Sequence, residues 1–148
     1  MDEKVIYDVR QIQKILPHRY PFLMIDKIVE FVDNERVVGI KNVTINEPFF
    51  QGHFPGRPVM PGVMLLESMA QTAAILAKSS TDGVNPGKTV FLIGATDFKW
   101  KKMVLPGDTL RIEMLSVKKR RPIWVMSGSV TVDGKLVASG TISAAEGD

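Results

Sequence analysis

Apolar residues recur along this chain with two periods, and the change from one to the other divides it. Val9, Ile12, Ile15 and Leu16 fall at helical spacing before Pro17, so a short amphipathic helix is predicted over Val9 to Leu16. Pro21 to Val32 is rich in Phe, Leu, Ile and Val, and the turn-like Asp33-Asn34-Glu35 separates it from a second such run, Arg36 to Ile45. These two segments read as a strand pair. Pro61-Gly62 then opens Val63 to Lys78, apolar nearly all round except at Glu67, Ser68, Gln71 and Thr72. Proline suits a helix start, and a helix apolar on every side has to be wrapped by protein. Beyond Ser79 to Gly83 and Asn85-Pro86-Gly87 the pattern becomes β: Thr89 to Trp100, Thr109 to Lys119, Ile123 to Val132 and Lys135 to Ala144. Pro106-Gly107-Asp108 and Asp133-Gly134 supply turns, the latter a strong hairpin signal. The expected architecture is α+β, with about six antiparallel strands curled around one long central helix.

Composition narrows the class. A chain of 148 residues, with 45% hydrophobic and 24% charged positions, can bury a core as one domain, here residues 1–148. Cysteine is absent, which excludes disulfides and thiolate chemistry. The N-terminus mixes charges and lacks the apolar core of a signal peptide, and no apolar run is long enough for a membrane helix, so a cytoplasmic protein is expected. Neither nucleic acid nor membrane is an expected partner. The net charge of +3 is modest. Basic residues nevertheless cluster, as Lys99, Lys101 and Lys102 and as Lys118, Lys119, Arg120 and Arg121, in a way that suits either an acidic partner or a solvated strand face.

Chemistry concentrates between Asn46 and Gln71. Glu67 sits within the apolar helix, where burial among Met64, Leu65, Leu66 and Met69 would raise its proton affinity as a general acid requires. Gln71, at i+4, can hydrogen-bond it. A satisfied core carboxylate is the plainer alternative. His53 lies among Phe49, Phe50, Gly52, Phe54, Pro55 and Gly56, where desolvation favours a neutral imidazole able to accept a proton. A histidine merely packed in a rigid loop reads equally well. The Gly62 N–H, at the positive end of the helix, can receive a developing oxyanion or can simply begin the helix. His18 has no acidic or nucleophilic neighbour in sequence and reads as structural. With two histidines 35 residues apart and no cysteine, no zinc pattern exists, and no nucleotide-binding glycine motif or nucleophile elbow is present, so no metal or cofactor is implied. His53 and Glu67 stand fourteen residues apart; the loop could fold back over the helix, or the two groups could meet across a symmetric interface.

The motifs LPHRYPFLMID (Leu16 to Asp26), NEPFFQGHFPGRPVMPG (Asn46 to Gly62) and ESMAQ (Glu67 to Gln71) closely resemble the β-hydroxyacyl-acyl carrier protein dehydratases of type II fatty acid synthesis, FabZ type. The resemblance covers essentially the whole chain. It implies a hot-dog fold, a homodimer joined sheet edge to sheet edge, commonly assembled into a homohexamer, and acyl carrier protein as partner. It also implies a site shared between His53 of one subunit and Glu67 of the other. His53 would take the α-proton of a (3R)-β-hydroxyacyl thioester, Glu67 would protonate the leaving hydroxyl, Gly62 would hold the carbonyl and Gln71 would orient Glu67. A one-base scheme, in which Glu67 only holds water, stays open. Phe49, Phe50, Phe54, Val59, Met60, Met64 and Phe91 are candidates for an acyl tunnel or for ordinary core. Sister enzymes that also isomerise their product carry aspartate where this chain has Glu67, so simple dehydration is implied. An acyl thioesterase and a non-catalytic lipid-binding module are the competing readings.

Overall fold

Each predicted segment corresponds to an element in the computed structural model, which describes residues 3–148; residues 1 and 2, included in the single-domain expectation, lie outside them. Helix α1 (Val9–Ile15) opens with a capping box, in which the Asp8 carboxylate accepts from the Gln11 N–H and the Gln11 side chain accepts from the Asp8 N–H. Strands β1 (Lys27–Val32) and β2 (Arg36–Asn42) form the expected pair, with Asn34 left-handed at the turn. A 3-10 turn spans Pro48–Gln51, and helix α2 covers Gly62–Ser79 with Pro61 as its N-cap. Strands β3 (Thr89–Trp100), β4 (Thr109–Arg120), β5 (Ile123–Val132) and β6 (Lys135–Gly147) follow.

The sheet is antiparallel with order β1-β2-β4-β5-β6-β3. Asp133 and Gly134 both take positive φ, as the hairpin between β5 and β6 demands. Strand β3 does not pair with its successor β4 but lies beside β6, so its connection to β4 passes two strands. Pro21 to Asp26 was expected in β1 but precedes it, because a tight turn from Arg19 places the Phe22 carbonyl and the Met24 N–H against α2.

Helix α2 packs across β2, β4 and β5. Its buried hydroxyls are satisfied within the helix: Ser68 donates to the Met64 carbonyl at 2.8 Å and Thr72 to the Ser68 carbonyl at 2.9 Å. Close approach to the sheet depends on Gly39 of β2, where a Cβ would stand 3.2 Å from the Thr72 hydroxyl oxygen. The two sheet edges differ. Along β1 the N-terminal segment covers the edge, with Ile6 N–H donating to the Ile28 carbonyl at 2.8 Å. Along β3 no described residue covers the outer edge, and Phe91, Leu92 and Ile93 are exposed there.

Candidate active site

Backbone contacts fix His53. Its N–H donates to the Phe49 carbonyl at 3.1 Å, and its carbonyl accepts from Val59 N–H at 3.1 Å. The next residue, Met60, bonds onward to the Val104 carbonyl at 2.8 Å. Upstream, Lys41 and Glu47 form a nearly buried ion pair at 2.8 Å that anchors the start of the loop. The ring stacks on Phe54, with centroids 4.0 Å apart, and its Nδ1 lies 2.7 Å from the Val59 carbonyl. A carbonyl can only accept, so Nδ1 carries the hydrogen and Nε2 of the neutral ring presents a lone pair.

Glu67 is held by side chains instead. The Gln71 amide donates to Glu67 Oε2 at 2.8 Å and to the Phe22 carbonyl at 2.8 Å, while Gln71 Oε1 accepts from Met24 N–H at 2.8 Å. Gln71 is 1% exposed, and these three bonds, which use both amide hydrogens and the oxygen, leave it one position to occupy. The Glu67 side chain itself is 20% exposed, at the boundary of the core and not enclosed in it. His18 Nε2 stands 3.7 Å from Glu67 Oε2, and His18 Nδ1 is buried without a partner among the described residues. Burial holds the His18 pKa below the usual imidazole value; Lys78 and Arg19 push the same way and Glu67 opposes them.

The two groups open on different cavities of the chain. His53 lies on an open cleft of about 600 Å³ with Val59, Met60, Gly62, Trp100, Lys101 and Lys102. Glu67, His18 and Gln71 lie at a narrower cavity of about 90 Å³ whose walls are Ala70, Ala74 and Ala77 on α2 and Trp124, Met126 and Ile142 on the sheet. At the cleft, α2 begins without a side-chain cap, so the first N–H groups have no helical acceptor. The Gly62 carbonyl accepts from Trp100 Nε1 at 3.0 Å, and a Cβ on Gly62 would stand 2.9 Å from that nitrogen.

Of the residues weighed for a tunnel, Val59 and Met60 line the His53 cleft, Met60 and Phe50 are buried, and Phe49 and Met64 pack against the core. Phe54 and Phe91 lie at the surface. The two basic clusters separate in the same way. Lys99, Lys101 and Lys102 are exposed, and the latter two border the cleft. In the second cluster, Lys119 donates to the Asp82 carbonyl at 2.8 Å and lies over the Trp124 ring, and Arg121 pairs with Glu146 at 3.1 Å, while Lys118 and Arg120 are exposed. Among the described residues no three His, Asp or Glu side chains gather as a metal site, and no helix is long and apolar enough to cross a membrane.

The FabA-like domain family matches residues 16–141. The 3-hydroxyacyl-acyl-carrier-protein dehydratase FabZ of Geobacter metallireducens is 50% identical over 145 residues, covering 98% of this chain and 97% of that protein. The FabZ of Streptococcus equi subsp. zooepidemicus is 53% identical over 140 residues, covering 95% of this chain and 98% of its own. The chain belongs to the FabZ-type dehydratases of the FabA-like family. Solved structures agree on a hot-dog fold. The dehydratase heterocomplex ApeI:P of Xenorhabdus doucetiae superposes with a TM-score of 0.78 at 16% identity over 93% of this chain and 91% of that one. A hypothetical thioesterase of Streptococcus pneumoniae with coenzyme A gives 0.62 at 17% identity over 81% and 84%. Because a dehydratase and a hypothetical thioesterase share this fold, the family assignment comes from the sequence relatives.

In this FabZ-type dehydratase, a hydro-lyase, His18 and Trp124 also line the Glu67 cavity and Trp100 the His53 cleft, three positions that the sequence does not single out as site residues. His18 has its acidic neighbour, Glu67, 49 positions away in sequence. Its place in the motif Leu16 to Asp26, beside the segment that Gln71 grips, was the available signal. Neither tryptophan lies in a recognisable motif.

Proposed function

We propose that this enzyme removes water from a (3R)-β-hydroxyacyl group, carried as a thioester on acyl carrier protein, to give the trans-2-enoyl thioester of type II fatty acid synthesis. His53 Nε2 takes the α-proton and the Gly62 N–H holds the thioester oxygen as enolate charge develops. Breaking the β-carbon–oxygen bond then completes the double bond, while protonated Glu67 supplies a proton so that the hydroxyl leaves as water. Solvent carries the α-proton from His53 away and restores Glu67. A single good oxyanion donor is worth about 3 kcal/mol, and each positioned proton transfer two to four powers of ten.

The site is shared by two subunits in this reading. What supports it is that His53 and Glu67 open on separate cavities of one chain, and that the uncovered strand β3 borders both. Val90 and Leu92, near its start, line the Glu67 cavity, and Trp100, at its end, lines the His53 cleft. Antiparallel pairing of β3 with its copy sets the start of each strand beside the end of the other, so that one protomer's Glu67 approaches the partner's His53. The cleft then takes the thioester head, with Lys101 and Lys102 meeting the acidic carrier, and the Glu67 cavity takes the acyl tail. A trimer of such dimers, in the cytoplasm, completes the reading.

Complementation tests it. His53→Ala and Glu67→Gln chains, each inactive alone, are mixed under conditions that exchange subunits. Random pairing gives half heterodimers with one intact site of two, so about a quarter of wild-type activity returns. A mixture as inactive as its parents refutes the shared site. Enoyl absorbance without thiol release marks dehydration, and thiol release would mark a thioesterase.

A further inference from the structure

The Glu67 cavity has a direction. Trp100 bonds to Gly62 at the start of α2 and pairs with Ala138 on β6. Lys119, paired with Trp124, bonds to Asp82 just beyond the helix end. Moving along β6 from Ala138, the sheet therefore presents first the row Met126–Ile142, then the row Trp124–Ala144–Leu92 and last Val90 beside Glu146, in step with α2 from its start to its end. From Glu67 to Ala77 the helix advances about 15 Å. Along that distance its cavity wall is alanine apart from Gln71. Small residues leave the channel open, and the first large rigid group on the opposite wall at the far end is Trp124.

That indole is fixed. It is 3% exposed, its Nε1 lies 3.4 Å from the Glu146 carboxylate, and the Lys119 ammonium lies 5.1 Å from the ring centroid. Met126, by contrast, has rotatable bonds with which to adapt to an occupant. We infer that Trp124 is the stop of the acyl channel, so that the position of its ring in the cavity it lines with Ala144 and Ala77 sets the longest acyl chain this enzyme dehydrates. The inference rests on the dehydratase reading above and adds the residue that decides chain length.

The test is the ratio of kcat/KM for long against short 3-hydroxyacyl-carrier substrates, which cancels any loss of correctly folded enzyme within one preparation. Trp124→Ala opens the far end and should raise the ratio about tenfold or more, the scale on which a few methylenes gained or lost in an apolar pocket discriminate. Ala144→Leu fills the space beside the ring from a half-buried position and should lower the ratio by a similar factor. If Trp124→Ala does not fold by circular dichroism, Ala144→Leu decides alone. A ratio within twofold of wild type in either folded variant overturns the assignment of Trp124. Wild-type enzyme without dehydration at any chain length would instead overturn the dehydratase reading itself.

Discussion

The two cavities hold their reactive groups by opposite means. His53 stands on a loop, oriented by backbone hydrogen bonds and by the Val59 carbonyl, over an open cleft whose rim carries lysines. Glu67 stands on the central helix, clamped by Gln71, at a narrow cavity walled by alanine and apolar sheet residues. A loop tied to fixed carbonyls can define a tautomer while leaving the cleft open for a large carrier. A buried helix can keep one side of a carboxylate dry and provide a straight apolar wall for a tail. The contrast suits the proposed substrate, with its polar, protein-borne head and its apolar tail, one cavity for each end.

The largest effect expected from breaking this division falls on His53, the proposed base. His53→Ala should lower kcat by two to four powers of ten while leaving the melting temperature nearly unchanged, because the ring is only half-buried and makes one backbone hydrogen bond. Steady-state assay at saturating substrate with a thermal melt on the same sample measures both. Retention of most activity would remove His53 from the chemistry and make the open cleft a docking feature alone.

A smaller effect probes the rim. Lys101→Glu combined with Lys102→Glu should raise KM for carrier-linked substrate about tenfold at low ionic strength, and the penalty should shrink as salt is added. For a short free thioester KM should hardly move. The matched pair Lys118→Glu with Arg120→Glu, in the cluster whose other members are engaged by Asp82 and Glu146, should cost much less. Equal penalties from the two pairs would erase the distinction between the clusters.

How much of this was legible in the sequence depends on the range of the interaction. The Asp133-Gly134 hairpin and the Glu67–Gln71 contact were legible because each depends on residues a few positions apart. The whole of α2 was legible as well, since an all-round apolar pattern has no other use in a wrapped helix. The partner of β3 was not, because strand alternation specifies a face and not a neighbour, and β6 competes with β4 for the same edge. Nor was the role of Pro21 to Asp26, whose apolar run looked like strand but whose backbone is taken by Gln71 from 47 and 49 residues away. The cavity walls were hidden for a related reason: aromatic residues read as lining, whereas the space is made by alanines, which enter a hydropathy pattern as apolar positions without showing that they leave room.

The smallest effect concerns His18, which joins the clamp on Glu67 to the pH of the medium. Its ring is stacked on Phe22, its Nδ1 is buried without a partner among the described residues, and Glu67, Lys78 and Arg19 are the charged groups acting on it. Burial is the largest influence and lowers its pKa, so the folded chain charges this imidazole less readily than the unfolded chain, where the value is about 6.5. Between the folded and unfolded values the unfolded state binds more protons, and stability therefore rises with pH across that window and falls as pH drops below about 6.5. His18→Gln keeps a polar group beside Glu67 but cannot titrate. Its denaturant midpoint should consequently fall less than that of wild type between pH 7.5 and 5.5, in urea titrations run on both proteins. Parallel curves would mean that His18 takes its proton as easily in the fold as outside it, and the Glu67 cavity would then be wetter than its alanine walls imply.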